Sequence, residues 1–436
     1  MSTRELTGPE RALWELQRRL PYPAGWNQAL AAYVIGGQLS VPALNAALDL
    51  LVRRHPALRT RFAAPDGTAV ASTVAPGSVA PRIPVRGPGH GLWPEELRTA
   101  AGRPFDLTRD SPLRVTVLRF RGVDTVVLTL HRMAGDGWTA GLLYEELAAG
   151  YGAFAAGAPM PAELAGEAET HVEFSRAAEY WQHRLDGVDP THAALAVGRG
   201  DPPIPTFAGA LLAQPLGPAA RDAVPALARE LGVAEEVVLL AAYFALLAYH
   251  RGGPDLVVGV DVEPVGGPQG AGYRTGMLPV RAHVDMSATF AGLAGQLGDL
   301  LYEAVGHRPA PPEAALPEPA GAGGRPPLIR HAFRVGRRPA YTWLGDLPTS
   351  SAPVHTGRSW QDLAFDVVVE PTRTEVRATY RSEILDDHEV RALAQRYDTL
   401  LCQAAIAPNQ PLATMPWRTS ADRALEAGAR RRQPTS

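Results

Sequence analysis

The sequence predicts a mixed fold of helices and strands, α/β or α+β, arranged as two lobes. Three observations lead to this prediction. The chain has 436 residues with 46% hydrophobic content, which is ample for more than one core. Runs with helical spacing alternate with β-rich runs in both halves of the chain. A stretch rich in Ala, Gly and Pro (155–170) connects the two halves and has no clear period of its own.

The first half contains a helix with a recognisable beginning and end. Ser40 is a suitable N-cap, and an early proline follows it at position 42. The apolar positions then repeat at spacings of four and three, at Leu44, Leu48 and Leu51. The helix should end near His55, because the residue before a proline leaves the α region. We therefore expect His55 at a surface or capping position.

A predicted hairpin leads directly into the most informative segment of the chain. The β-rich runs 113–118 and 126–130 are joined by the turn-like residues 121–124. Residues 139–155 then have a helical pattern. The intervening segment, HRMAGDGW (131–138), is therefore predicted to form a loop between a strand and a helix.

The second half repeats the mixed order of elements. Helical patterns cover 173–185, 219–231 and 234–250, with Gly232 separating the last two, and a strand follows at 255–261. Later strands are predicted at 364–370 and 376–380, before a helix at 387–404. We place the boundary between the lobes after residue 165, so that the second lobe covers 166–427. The arginine-rich end (428–436) is predicted to be a disordered tail.

Composition excludes several classes of function. The formal net charge is −3, so no basic excess indicates nucleic acid or an anionic membrane as a partner. The single cysteine, Cys402, excludes an internal disulfide framework and a cysteine-based zinc site. The N-terminus lacks the apolar run of a secretory signal, and the longest apolar stretch, 237–249, is too short to span a bilayer. We expect a cytoplasmic monomer.

Known short motifs for metals and nucleotides are also missing from the sequence. It contains no HExxH, no P-loop and no Gly-x-Gly-x-x-Gly after a strand, so metal, ATP and dinucleotide roles have no support. It contains no GxSxG elbow either, so a hydrolase-like serine is unsupported. We predict that the chain itself binds no cofactor and no metal.

The segment His131–Gly137 resembles the His-His-x-x-x-Asp-Gly signature of the condensation domains of nonribosomal peptide assembly lines. Further segments resemble other motifs of that family in the same order along the chain. They are LTGPERALWELQRRL (6–20), RHPALRTRF (54–62), EYWQHRLDG (179–187), LLAAYFALLAYHRGGPDLVVGV (239–260), GYRTGMLPVR (272–281) and LDDHEVRALAQRYDTLLCQAA (385–405). The resemblance covers roughly residues 6–416, and on it the chain is identified as a member of the condensation-domain family.

This resemblance implies a fold and a set of partners. The implied fold is a V-shaped pair of lobes like chloramphenicol acetyltransferase, with a tunnel between them. Members of the family receive an acyl or peptidyl thioester on the phosphopantetheine arm of a carrier protein, and an amine or alcohol acceptor enters at the other mouth. An acyl or peptidyl carrier protein and a small-molecule acceptor are therefore the expected partners.

The resemblance also assigns roles to the residues of the signature loop. Arg132 occupies the position of the usual catalytic histidine, whose pKa near neutrality suits it to proton transfer. A guanidinium has no acceptor lone pair and cannot act as a general base, but it can bind an anion or polarise a carbonyl oxygen. Gly137 keeps the loop tight and presents its backbone N–H near the reacting carbonyl. We predict Arg132 and Gly137 as the catalytic residues.

Three further residues are predicted to be structural parts of the same site. The resemblance implies that the side chain of His131 points away from the tunnel. Asp136 is expected to hold the loop as a carboxylate paired with an arginine, and Arg59 is the partner that the motif position indicates. Trp138 is predicted to be a packing residue.

A second departure from the family lies in the segment GYRTGMLPVR, which is expected to roof the tunnel. Arg274, Thr275, Gly276 and Met277 replace the Phe, Val and Asn-Thr that the family often has there. Two interpretations stay open, drift in a surface loop and a reshaped acceptor channel.

Two functions from different classes follow from these patterns. The first is a stand-alone acyltransferase that forms an amide or ester from a carrier-bound thioester and an amine or alcohol. A thioester is already activated, so the loss of a general base need not abolish turnover. The second is a non-catalytic module that recruits a haem monooxygenase or another tailoring oxidase to a carrier-bound peptide. A condensation-like domain of glycopeptide-antibiotic assembly lines has a similar His-Arg start to its signature, but it departs at the Asp-Gly end that this chain keeps.

Overall fold

The computed structural model describes residues 2–19, 23–79, 81–87, 93–164, 168, 178–189, 193–250, 254–262, 270–272, 277–308, 328–338 and 341–416. Its strands are β1 (Ser2–Glu5), β2 (Asn27–Val34), β3 (Thr60–Ala63), β4 (Val70–Thr73), β5 (Val85–Arg86), β6 (Leu113–Phe120), β7 (Val123–His131), β8 (Gly209–Pro215), β9 (Asp255–Asp261), β10 (Leu278–His283), β11 (His331–Arg337), β12 (Thr342–Leu344), β13 (Leu347–Val354), β14 (Leu363–Val369) and β15 (Thr374–Arg381). Its helices are α1 (Gly8–Arg19), α2 (Val41–Arg54), α3 (Trp93–Gly102), α4 (Gly137–Ala156), α5 (Ala178–Leu185), α6 (Pro218–Leu231), α7 (Glu235–Tyr249), α8 (Phe290–Gly306) and α9 (Asp387–Ile406).

The chain folds into two compact units that are discontinuous in sequence. The first unit is formed by Met1–Glu173, Glu263–Thr275 and Pro339–Gly357. The second unit is formed by Phe174–Val262, Gly276–Arg338 and Arg358–Ser436. This division differs from the contiguous boundary after residue 165. The physical reason is strand pairing, since β13 comes late in the chain but forms its ladder with β2 of the first unit.

The first unit is built on a six-stranded sheet in the order β12-β13-β2-β7-β6-β5. All of its pairings are antiparallel except that of β5 with β6. Apolar side chains of α2 and α4 pack on one face of the sheet, and α3 packs with Ala31, Leu118 and Val127 on the other. A small sheet, β1-β4-β3, completes this unit.

The second unit is built on a mixed six-stranded sheet in the order β10-β9-β11-β14-β15-β8. Strand β11 runs parallel to both β9 and β14, and the other pairings are antiparallel. Helices α6, α7, α8 and α9 pack on one face of this sheet. Residues Val237–Ala248 of α7 are buried on all sides, as expected of a helix that is apolar all round.

The predicted elements are largely confirmed where the structure describes them. Ser40 caps α2 by accepting the N–H of Ala43, and Gly232 ends α6 in the left-handed conformation. The predicted hairpin is β6 and β7, whose turn contains Arg121 and Gly122 at positive φ. The mixed fold of helix and sheet is therefore confirmed. The predicted tail, 428–436, and the first residues of the predicted helix 173–185 lie outside the described residues.

No single helix of the described ranges has the length and apolar content of a membrane span. Helices α6 and α7 reach those values only when joined across their 106° bend.

Candidate functional site

The signature loop connects the central strand β7 to the long helix α4 within the first unit. Strand β7 is buried from Asp124 to His131, so the loop begins inside the core. A short 3₁₀ turn, Arg132–Ala134, follows, and the Gly135 N–H closes it by donating to the Arg132 carbonyl oxygen. Helix α4 then starts at Gly137. The predicted strand–loop–helix arrangement of this segment is therefore confirmed.

His131 is a buried residue that shapes the loop. Its Nδ1 accepts the N–H of Met133 at 3.2 Å, which leaves the proton of the neutral ring on Nε2. The edge of the ring packs against Phe105, with 5.9 Å between ring centroids. Burial lowers the pKa of His131 to about 3. The imidazole is therefore neutral at physiological pH, and its acceptor nitrogen is already used.

Asp136 is the N-cap of helix α4. Its Oδ1 accepts two hydrogen bonds from Thr139, one from the backbone N–H and one from the hydroxyl, each at 2.9 Å. A side-chain cap of this kind pairs N–H groups that the first turn of a helix cannot pair itself. The acidic residue of the signature therefore fixes where α4 begins.

Arg59 is buried near the end of another short 3₁₀ turn, Pro56–Arg59. Its Nη1 donates to the carbonyl oxygen of Val74 at 2.8 Å, and its Nε donates to that of Arg53 at 3.4 Å. These bonds connect the turn with the chain after β4. The pairing of Arg59 with Asp136 stays a prediction.

Arg132 differs from its neighbours in exposure and in bonding. Its side chain is partly exposed, whereas His131 and Asp136 are buried. Its Nε is buried and has no hydrogen-bond partner among the described residues. Leaving such a donor unpaired costs on the order of 1–3 kcal/mol, so this guanidinium has unused capacity for a hydrogen-bond acceptor. An anion or a carbonyl oxygen is the chemistry that fits it.

Gly135 and Gly137, the two glycines of the loop, have different structural roles. A Cβ on Gly135 would lie 2.4 Å from Cγ2 and 2.7 Å from Oγ1 of Thr139, the residue that Asp136 binds. Gly137 is the first residue of α4 and is partly exposed. The N–H groups of a first helical turn have no partner within the helix, and they carry its partial positive charge. Arg132 and Gly137 thus place two kinds of donor at the ends of one short loop.

The structure brings together His55 and Glu146, two residues of the first unit that no sequence pattern had linked. His55 is fully buried, so the prediction of a surface position is wrong, although its backbone N–H does cap α2 at the Leu51 carbonyl oxygen. Its Nε2 lies 2.7 Å from Oε2 of Glu146 on α4, and its Nδ1 accepts the N–H of Ala271 at 3.1 Å. His55 continues the apolar spacing of α2, four residues after Leu51, and that spacing was a signal for burial.

Glu146 also binds the neighbouring arginine. Both of its carboxylate oxygens accept from Arg54 Nε, at 3.2 and 3.1 Å. Burial alone would raise the pKa of Glu146, but the hydrogen bond from His55 and the charge of Arg54 lower it overall. Helices α2 and α4 and the short segment 270–272 are therefore connected by one buried polar network.

Residues 274–277, where the sequence was predicted to depart from the family pattern, are only partly described by the structure. Arg274, Thr275 and Gly276 lie outside the described residues. Met277 packs beside Val257 and Ile329 in the second unit, and its Sδ would lie 2.8 Å from a Cβ on Gly259. Among the described residues, no group of three or more His, Cys, Asp or Glu is placed to share a metal ion.

Comparison with known proteins gives consistent matches to one family. The model of the family described as Condensation domain matches residues 5–425. A probable non-canonical nonribosomal peptide synthetase, CymA of Salinispora arenicola, is 28% identical over 98% of this chain. The match covers only 6% of that relative's own length.

Solved structures match at the level of the fold. The first condensation domain of the calcium-dependent antibiotic synthetase, in complex with a substrate analogue, has a TM-score of 0.77 at 20% identity, covering 96% of this chain and 99% of that one. The X-domain in its complex with OxyB from teicoplanin biosynthesis has a TM-score of 0.75 at 23% identity, covering 95% and 96%. The expected chloramphenicol acetyltransferase-like type of fold is thus supported over nearly the whole chain.

Proposed function

Because this chain belongs to the condensation-domain family of nonribosomal peptide biosynthesis, we propose that it is a condensation-type acyltransferase. It would transfer an acyl or aminoacyl group from the thioester of a carrier protein to an amine or alcohol, forming an amide or ester. The carrier protein and the small-molecule acceptor are the partners that this activity requires. The observation that supports the proposal most is the unpaired Nε of Arg132 in a signature loop where His131 and Asp136 are hydrogen-bonded.

The proposed chemistry uses stabilisation of charge in place of a histidine base. The acceptor nitrogen attacks the thioester carbonyl carbon, and the carbonyl oxygen becomes negatively charged in the tetrahedral intermediate. Collapse of this intermediate breaks the C–S bond and releases the pantetheine thiolate, while the proton of the amine passes to that thiolate or to water. Arg132 is suited to the developing oxyanion, and so is the Gly137 N–H at the start of α4. His131 is not a candidate base, since it is buried and its Nδ1 is occupied.

The test is a transfer assay with an acyl-loaded carrier protein and a panel of amines, read by mass spectrometry. Replacing one oxyanion donor typically costs about 10²-fold or more in rate, so we expect Arg132→Gln to slow transfer by that order. Gly137→Val should abolish transfer. Arg109→Gln, at an exposed arginine of the same unit, should leave the rate unchanged.

The dependence of the rate on pH distinguishes the two chemistries. A guanidinium does not titrate near neutrality, so the wild-type rate should show no inflection near pH 6.5, while Arg132→His should introduce one. A wild-type inflection near that pH, or full activity in Arg132→Gln, would contradict the proposed role of Arg132.

A second candidate function is a non-catalytic module that recruits a tailoring oxidase to a carrier-bound peptide. The observation that favours it is the arginine at position 132 in place of the usual proton acceptor, together with the likeness of fold to an X-domain that forms a complex with OxyB. Saturable binding of a haem monooxygenase, with no transfer product from any donor and amine, would select this function.

A further inference from the structure

The sheet of the second unit has one face that α6–α9 do not cover, and this face carries a row of charged side chains. Phe333, Phe365 and Val376 point to the helices. Because side chains alternate along a strand, their neighbours Arg334, Asp366 and Arg377 point to the other face. The register places these three side by side, since Arg334 pairs with Asp366 across β11 and β14, and Asp366 pairs with Arg377 across β14 and β15. Arg338, just after β11, lies four residues beyond Arg334 and extends the group.

Ion pairs neutralise some of the charges of this face. Arg377 Nε donates to Glu375 at 2.8 Å, and Arg334 Nη1 lies 3.9 Å from Asp261. Arg373 lies 3.6 Å from both Glu370 and Glu375. Arg338 and Asp366 have no ion-pair partner within 4 Å in the described part of the chain, so one cation and one anion of the row remain unpaired.

Arg338, Arg377 and Asp366 each have a buried polar atom without a hydrogen-bond partner among the described residues. These atoms are Nη1 of Arg338, Nη1 of Arg377 and Oδ1 of Asp366. Arg377 is 8% exposed and Arg338 is partly exposed. Leaving a buried donor or acceptor unpaired is costly, so three such groups in one place indicate that a bound group completes them. Two hydrogen-bond donors, on Arg338 and Arg377, and one acceptor, on Asp366, are therefore available to a ligand.

The space beside these atoms is kept free by a glycine. Gly336 lies on the same face of β11, and a Cβ built on it would meet only Oδ1 of Asp366, at 4.0 Å. The open acceptor therefore borders a space that any larger side chain at position 336 would fill.

The charges around Arg338 define the chemistry of the ligand. Burial lowers the pKa of Arg338, Arg334 and Arg377 lower it further, and Asp366 and Glu370 act in the opposite direction. An anionic group bound between Arg338 and Arg377 would relieve the repulsion between these cations. The open carboxylate oxygen of Asp366 requires a donor, which an ammonium group supplies. Together these needs match a molecule with a carboxylate and an ammonium group close together.

We propose that Arg338, Arg377 and Asp366 form a binding site for the α-amino-acid group of a small molecule, with the two guanidiniums on its carboxylate and the aspartate on its ammonium. Gly336 leaves the room that this group occupies. The site lies within the second unit and does not depend on the transfer reaction proposed for the signature loop.

The test measures binding to the full chain by calorimetry and thermal shift, with each of the twenty proteinogenic amino acids as a separate probe. For any amino acid that binds, its carboxamide and its N-acetyl derivative are measured in parallel. We expect each derivative to bind at least about tenfold more weakly, since each removes one of the two charges. If no amino acid binds, or if the carboxamide binds as well as the acid, the proposal is overturned.

Two variants and one control assign the site to these residues. Arg338→Gln should weaken binding by about tenfold or more, and Gly336→Val should block it by filling the space without changing any charge. Arg337→Gln is the control, because Arg337 is exposed and pairs with Glu235 and Glu236. Circular dichroism checks that each variant is folded. Binding that is equally strong in Arg338→Gln and Gly336→Val would place the ligand elsewhere and overturn the assignment.

Discussion

His131 and Arg132 are sequence neighbours in opposite electrostatic situations. The histidine is buried and neutral, and its pKa is lowered to about 3. The arginine is partly exposed and has a buried donor without a partner. A buried polar residue whose hydrogen-bonding groups are paired within the protein stabilises the fold. A residue with an unpaired donor can bind a ligand through it. This contrast is why we propose substrate chemistry for Arg132 and a structural role for His131.

The buried histidines make stability depend on pH in a defined direction. Burial lowers the pKa of His131 to about 3, and burial together with the charge of Arg396 does the same for His250. Both values lie below the ordinary value near 6.5, so the unfolded chain binds more protons at acidic pH. The contribution of each group is fully present above about pH 6.5. It is lost progressively as the pH falls from there towards 3.

We predict that replacing these histidines reduces the dependence of stability on pH. The free energy of unfolding, measured in urea at pH 7 and pH 5, should fall less in His131→Asn than in the wild type, by up to about 1.4 kcal/mol per pH unit. The asparagine oxygen can still accept the Met133 N–H. His388→Asn, at an exposed histidine of α9, is the control for replacing a histidine that is not buried. An unchanged dependence in His131→Asn would show that this ring is not held neutral.

The structure explains why position 135 is a glycine. Its Cβ would lie within 2.7 Å of three side-chain atoms of Thr139. We expect Gly135→Ala to lower the free energy of unfolding by about 1–3 kcal/mol, as overpacking does in cores. Gly141→Ala in helix α4, which begins two residues after Gly135, is the matched control, because nothing lies within 4 Å of the added Cβ. It should be neutral or stabilising by up to about 1 kcal/mol. Equal effects of the two substitutions would contradict this steric explanation.

At the scale of elements, α2 and α4 are joined by a polar network as well as by apolar packing. Glu146 of α4 binds both Arg54 and His55 at the end of α2, and His55 also holds the backbone of Ala271. The side chains of Arg54 and Glu146 are only 13% and 10% exposed, so solvent screens this ion pair weakly. The network ties segment 270–272 to the helix that follows the signature loop.

We predict that Glu146→Ala destabilises the protein by about 3 kcal/mol, because it removes the carboxylate that binds both the shielded Arg54 guanidinium and the buried His55. The matched control is Asp49→Ala, which breaks the exposed pair between Asp49 and Arg53 on α2. That change should cost less than about 1 kcal/mol. Urea unfolding monitored by circular dichroism measures both. Similar losses in the two variants would show that burial adds nothing to the Glu146 network.

At the scale of the whole molecule, the first unit depends on a segment from late in the chain. Strand β13 adds to β2, and Tyr144 of α4 bonds to Thr349 of β13 through their buried hydroxyls at 2.8 Å. Without this segment, β2 would be an exposed edge with unpaired backbone groups. Folding of the first unit therefore requires a long part of the chain to be synthesised first.

We predict that residues 1–173 expressed alone aggregate, since the edge of β2 lies open. Joining residues 339–357 to this fragment through a flexible linker should increase the soluble monomer, as measured by gel filtration. A shuffled sequence in place of 339–357 is the control. The predicted dependence would be contradicted if the fragment 1–173 were monomeric and had the same near-ultraviolet circular dichroism as the joined fragment.

Local signals in the sequence determined most elements near the site. Ser40, the apolar spacing of α2, the 121–124 turn and the strand–loop–helix around 131–137 were all predictable, because caps, turns and periodicity act within a few residues. The order of motifs along the chain identified the family. That Arg132 is the unusual residue of the signature stays a prediction from the resemblance.

Only the tertiary structure decided which distant residues meet. It brought Ala271 to His55 across 216 residues, returned β13 to β2, and aligned Arg334, Asp366 and Arg377 in one row. No local pattern specifies such pairings, since they depend on strand order and register across the whole sheet. The unpaired polar atoms of Arg132, Arg338 and Asp366 could also be found only in the tertiary structure. Whether a polar atom has a hydrogen-bond partner depends on all the residues that fold around it.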